Sequence, residues 1–147
     1  MISQTAEYAL RAVAYLTQHP DEPYPIAVIA EATQVSPSYL AKVMRALSQA
    51  GIVRAQRGPA GGFTLAVPPQ DLTVFDVVDC VTPVPRIRSC PLGLPEHARE
   101  LCPLHAQLDA AAARIEESLR KATFADLTRN SMFPERPRTA DDTRPPA

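Results

Sequence analysis

A helix pair joined by a tight turn, a glycine-rich hairpin directly after it, and a long narrow-seamed helix further on predict a mainly α fold with a small β-hairpin wing. In element order this is a winged helix-turn-helix followed by a long dimerisation helix. The 147 residues, 46% of them apolar, suffice for one domain with a real core. No apolar run approaches the roughly 20 residues of a membrane span, so no membrane association is expected. Glu7 and Arg11 interrupt the N-terminal apolar pattern, which therefore reads as an amphipathic helix and not as a signal peptide. Three cysteines, an odd number, point to a reducing compartment, hence a cytoplasmic protein whose thiols serve as ligands or sensors.

Each element has its own signal. Ile2, Ala6, Ala9, Leu10, Val13 and Leu16 recur at spacings of three and four, predicting a helix over residues 2–17. The proline-broken run "HPDEPYP" stops it, with His19 at the helix end as a cap. A short helix over 26–33 places Ile26, Ile29 and Ala30 on one side. After the turn "TQVSPSYL", Ser36 is an N-cap and Pro37 suits the first helical position, where its missing donor costs nothing. That helix buries Leu40, Val43, Met44 and Leu47 and ends at Gly51. "IVRAQRG" and "GGFTLAV" are β-prone runs joined through Pro-Ala-Gly, a hairpin. "LTVFDVVDCV" is a further helix capped by Thr73, with Cys80 as a small core residue.

The charges are unevenly placed. The whole chain carries a net charge of −1, yet from Gln34 to Gln70 the ionisable residues are Lys42, Arg45, Arg54 and Arg57, a local +4 with no acid. Such a segment is the electrostatic footprint of a phosphate-contacting surface, although an ordinary solvated face is the plainer alternative. Residues on the first turns of the second helix reach phosphates and base edges, and a tip with little side-chain bulk lets Arg57 enter a minor groove. The candidate contacts to double-stranded DNA are Ser36, Ser38, Tyr39, Lys42 and Arg45 on the helix and Arg57, Gly61 and Gly62 on the wing. A half-buried packing role for Tyr39 and a surface salt bridge for Arg57 are the competing readings.

The cysteines form the second constellation. Cys90 and Cys102 lie twelve positions apart, and His105 follows Cys102 by three. Thiolate is a soft donor suited to iron–sulfur or zinc, and neutral imidazole can complete either site. Zinc held by Cys90, Cys102, His97 and His105 is one reading. A reversible disulfide, or an empty site, is another.

"TAEYALRAVAYL", "VSPSYLAKVMRALSQAGIVRAQRGPAGGFTLA" and "LTVFDVVDCV" together resemble the IscR/NsrR family of bacterial winged-helix regulators, over about residues 1–125. The Arg-Gly followed by Gly-Gly-aromatic is the most specific part. The resemblance implies a homodimer on a partly palindromic operator, with DNA contact through Ser38, Tyr39, Lys42 and Arg57. It also implies a cluster that tunes DNA binding to iron, oxygen, redox state or nitric oxide. In cluster-bearing relatives a third cysteine lies midway between the outer two; here that position is Glu96, beside His97. The departure disfavours a three-cysteine [4Fe–4S] centre and favours a [2Fe–2S] cluster on Cys90 and Cys102. Further ligands would come from His97, His105 or Glu7, an acidic position some relatives donate from the partner subunit.

From Leu104 to Leu119 the stripe Leu104, Leu108, Ala111, Ile115 and Leu119 alternates spacings of four and three, as in a helix that pairs with its own copy. "TFADLTRN" adds a short helix capped by Thr123. The expected organisation is a DNA-binding domain over 1–82, a Cys/His sensor loop over 83–103, a dimerisation region over 104–130 and a disordered, proline-rich tail over 131–147. Ligand exchange or oxidation in the loop would then shift the spacing of two recognition helices. An enzyme is not expected: there is no Cys-x-x-Cys, no nucleotide-binding glycine pattern after a strand and no Ser/His/Asp grouping. A small redox protein and a protein-interaction module are the alternatives from other classes.

Overall fold

Small residues make the centre. In the computed structural model, which describes residues 2–130 and 132–133, α1 runs Gln4–Gln18 and buries Ala6, Ala9, Ala12 and Val13 completely. Low side-chain volume along this face lets α2, α3 and α4 approach a common central helix. Ser3 caps α1 by accepting the Ala6 amide. Ile2 departs from the expected apolar face. It precedes the cap, no longer follows the helical period, and is 44% exposed. At the other end His19 is the C-cap, its ring stacked on Tyr15 and its Nδ1 2.8 Å from the Tyr15 carbonyl.

α2 (Ile26–Thr33) and α3 (Pro37–Gln49) form the expected helix pair. Gln34 makes the turn in the left-handed region at φ 57, and the amides of Gln34 and Val35 bond back to the carbonyls of Glu31 and Ala30. Leu40, Val43, Met44 and Leu47 are all buried. Ser36 occupies the N-cap position, but its side chain makes no capping bond; Pro37 and the Leu40 amide on the Ser36 carbonyl, at 2.9 Å, open the helix instead. α3 ends at Gly51, φ 73, where the Gly51 and Ile52 amides bond to the Ser48 and Leu47 carbonyls. These are the two bonds of a Schellman motif.

β1 (Val53–Gln56) pairs antiparallel with β2 (Gly62–Leu65), Arg54 opposite Thr64 and Gln56 opposite Gly62. Tyr24 exchanges two backbone hydrogen bonds with Phe63, at 3.0 and 2.9 Å, so the wing is fastened to the α1–α2 connection. α4 (Val74–Val81) opens on a full capping box between Thr73 and Asp76. Cys80 packs against the core, its thiol donating to the Val77 carbonyl. Residues 82–102 contain a single 3₁₀ turn at Pro95–His97 before α5 (Pro103–Lys121) and α6 (Phe124–Leu127). α6 is capped by Thr123 and anchored by Phe124, which is buried beneath α1. Of the tail expected to be disordered, Met132 and Phe133 are described, with the Met132 amide on Gln18 Oε1 and Phe133 edge-on to Tyr15. The rest of that expectation lies outside the described residues.

Candidate nucleic-acid interface and thiol segment

One face of α3 is solvent-facing and cationic. Ser38, Lys42 and Arg45 follow each other at helical spacing opposite the buried Leu40, Val43, Met44 and Leu47, and all three are exposed, as is Ser36. The hairpin supplies the second half. Val53 is buried and the rest of β1 is exposed, Arg54 included, with Thr64 across from it. Arg57 is exposed where the turn begins. Among the described residues Lys42, Arg45, Arg54 and Arg57 make no ion pair with an acid. No described carboxylate forms the surface salt bridge considered for Arg57, and none among the described residues pairs with the other cations of the +4 segment.

Tyr39 differs from its neighbours. It is half-buried, edge-on to the Tyr8 ring at 5.4 Å, and its hydroxyl is 2.5 Å from Thr5 Oγ1. Gly61 and Gly62 have a reason internal to the fold. A Cβ on Gly61 would stand 2.3 Å from the Gln56 carbonyl oxygen, and one on Gly62 would stand 2.3 Å from the Tyr24 carbonyl carbon. Close backbone packing requires glycine at both positions, whatever the tip approaches. Arg54, a cation of the acid-free segment that is not among the contact candidates, is exposed on β1; its place in that segment is the signal that points to it.

The cysteine segment resolves into two pairs. Cys90 Sγ lies 3.5 Å from His97 Nδ1, and Cys102 Sγ lies 3.2 Å from His105 Nδ1. The contact with His97 pulls the Cys90 thiol below its ordinary value, against the opposing effect of burial. Cys80 behaves oppositely: burial first, then Asp79 and Asp76, push its thiol up to about 11. All three cysteines are free. Glu7 is engaged with Arg11 at 3.0 Å. Among the described residues no three His, Cys, Asp or Glu side chains converge as metal donors. One chain thus presents two two-donor pairs, short of the four ligands that a zinc ion or a [2Fe–2S] cluster needs.

Arg86 fastens the start of this segment to α5. Its Nε and Nη2 donate to the two oxygens of Asp109 at 2.8 and 2.9 Å, and Nη1 donates to Glu116 at 3.1 Å. The Ile87 amide adds a bond to Asp109. Hydrogen bonds from Arg86 and Ile87 hold the Asp109 carboxyl down at about 2, while Arg120 and then Arg86 lower Glu116. Arg120 also lies over the Phe75 ring, 3.5 Å from its centroid, tying α5 to α4. The other side of α5 is bare. No α5 residue is fully buried, and Leu104 and Leu108 are 64% and 51% exposed.

The family profile described as "Rrf2: Iron-dependent Transcriptional regulator" matches residues 2–130. The chain belongs to the Rrf2 family of transcriptional regulators. The IscR/NsrR resemblance read from the wing and helix motifs agrees with this assignment, and the family's members are regulators, not enzymes. An HTH-type transcriptional regulator of Aquifex aeolicus is 32% identical over 130 residues, 86% of this chain and 90% of the relative. One from Haemophilus influenzae is 29% identical over 128 residues, covering 86% and 85%. Among solved structures, T. potens IscR superposes with a TM-score of 0.71 at 26% identity, covering 86% of this chain and 85% of its own. CymR, the global cysteine regulator of B. subtilis, superposes at 0.69 with 25% identity, covering 86% and 95%. This Rrf2 chain shares with them its helical body and two-strand antiparallel hairpin. No helix among its described residues is long and apolar enough to cross a membrane.

Proposed function

We propose that this Rrf2 regulator is a cytoplasmic homodimer that binds a partly palindromic operator through α3 and the wing. The observation that carries the reading is the set of four exposed cations on α3 and the adjoining hairpin, none of them ion-paired with an acid among the described residues. Lys42, Arg45, Arg54 and Arg57 supply phosphate contacts, with Arg57 entering a minor groove. Ser36 and Ser38 lie at the opening of α3, where no side chain competes for the first helical amides. The exposed stripe through Leu104 and Leu108 pairs with the same stripe of a second copy, fixing two reading heads about one turn of DNA apart.

The sensing chemistry assigned to the segment between Arg86 and α5 is that of its thiols. Support comes from the two separate Cys–His pairs and from the likeness to CymR, a global cysteine regulator. A hydroperoxide would accept two electrons and two protons from Cys90 and Cys102 and leave as water and an alcohol, or two waters. One S–S bond then joins positions 90 and 102 and redraws the loop. Coupling of this kind typically changes operator affinity by about 5–150-fold. A cluster on Cys90 and Cys102, with donors completed across a dimer, is the second reading, favoured by the family's iron-dependent description and the IscR likeness.

The deciding experiment is the visible spectrum of anaerobically purified protein, followed by DNA binding of the native chain and Cys90→Ala/Cys102→Ala before and after peroxide. A colourless native protein whose affinity responds to peroxide, with the double variant unresponsive, supports the thiol reading. Bands between about 300 and 600 nm that bleach on reduction replace it with the cluster.

A further inference from the structure

Two hydroxyl pairs meet at the first turn of α1. Ser3, its cap, lies 2.8 Å from Thr82 Oγ1, the residue at which α4 ends and the cysteine segment begins. Two positions on, Thr5 Oγ1 lies 2.5 Å from the hydroxyl of Tyr39, in the first turn of α3. One short stretch of helix therefore touches both the entrance of the thiol segment and the opening of the helix read here as DNA-facing. A cleft of about 350 Å³ lies beside this contact, lined by Thr5, Tyr39, Lys42, Cys80 and Val81 among others. The opening of α3 borders this cleft, and there a directional hydroxyl bond helps to set its tilt. Tyr39 also rests edge-on against Tyr8 of α1, so the same ring has both a packing and a polar tie to one helix.

We propose that Thr5 and Thr82 are positioning residues: Thr5 holds the opening of α3 through Tyr39, and Thr82 holds the first turn of α1 through Ser3. Neither touches DNA. Together they make α1 the element through which a rearrangement of the cysteine segment tilts α3. The inference rests on the reading of α3 as the DNA-facing helix.

The test compares Thr5→Val, Thr5→Ser and Thr82→Val with the native dimer. One readout is amide exchange of residues 39–42 in the free protein. The other is affinity, across a salt series, for a duplex recovered from a randomised pool by the native protein. Thr5→Val is expected to speed exchange by roughly 3–10-fold and to weaken binding with the salt slope unchanged, because no phosphate contact is lost. Thr5→Ser, which keeps the hydroxyl, is expected to restore both. Thr82→Val is expected to speed exchange at residues 39–42 without touching α3. Should Thr5→Val fail to fold, Tyr39→Phe removes the same bond from the other side and is read by exchange. Unchanged exchange in Thr5→Val or Thr82→Val, or a Thr5→Ser as defective as Thr5→Val, overturns the proposal. Faster exchange with unaltered DNA affinity upholds the positioning of α3 and instead overturns the assignment of α3 to DNA.

Discussion

Arg86 grips Asp109 with two parallel hydrogen bonds of 2.8 and 2.9 Å, and through that grip the cysteine segment is tied to α5. A fork-to-fork pair of this kind fixes direction as well as distance. Removing it by Arg86→Ala should loosen residues 88–102 while the helical body persists. Tryptic cleavage at Arg88 and Arg99 is expected to accelerate by roughly tenfold through local opening. Cleavage spread evenly over the chain would show instead that the body had opened.

The same pair sets an acid limit. Asp109 titrates at about 2 in the folded chain, below the ordinary 3.8. A carboxyl with a depressed folded value contributes stability that is complete above its unfolded value and is lost as pH falls through the folded one. Denaturant midpoints should therefore fall between about pH 4 and pH 2, and Asp109→Asn should show a smaller fall over that window. Parallel curves for the two proteins would mean that the pair contributes nothing to the acid transition.

Backbone crowding makes a sharper claim about the wing. Gly62→Ala places a Cβ 2.3 Å from the Tyr24 carbonyl carbon at a φ of 155. The hairpin must then part from the α1–α2 connection, at a cost of about 2 kcal/mol or more. Gly51→Ala meets open space at φ 73 and should cost only about 1–2 kcal/mol. Urea unfolding of the two variants checks the order.

The bare stripe on α5 predicts an association state. Leu104→Glu/Leu108→Glu places charge on positions 64% and 51% exposed in one chain, so the fold of that chain should persist. Sedimentation should move from dimer to monomer, with circular dichroism unchanged. A double variant that stays dimeric would move the interface elsewhere.

How much of this was legible beforehand depends on which force sets each feature. Leu40, Val43, Met44 and Leu47 are buried as their spacing predicts, because a short helix against a core obeys its own period. Thr73 caps α4 and Thr123 caps α6, since a cap is a local matter of one hydroxyl and one amide. Ile2 and Ser36 escaped the local rules: one lies outside the helix it was assigned to, and the other sits at a cap position without capping. The need for glycine at 61 and 62 arises from Gln56 and Tyr24, and the latter comes from a distant part of the chain. Likewise the Thr5–Tyr39 and Arg86–Asp109 contacts join residues 34 and 23 positions apart, so no window of sequence contains them. The zinc reading needs Cys90, His97, Cys102 and His105 around one ion, whereas in the single chain these residues stand as two separate Cys–His pairs.

The central claim is that the exposed cations of α3 and the wing form one phosphate-binding face, and salt dependence tests it most directly. For the native protein on its recovered duplex, log Kd should rise with log salt at a slope of about 4–7, and Lys42→Ala, removing one phosphate contact from each bound chain, should reduce it by about 1 per chain. Arg57→Ala should weaken binding as well. Affinity that does not respond to salt, or a slope indifferent to the loss of Lys42, Arg45, Arg54 and Arg57 alike, would contradict the account.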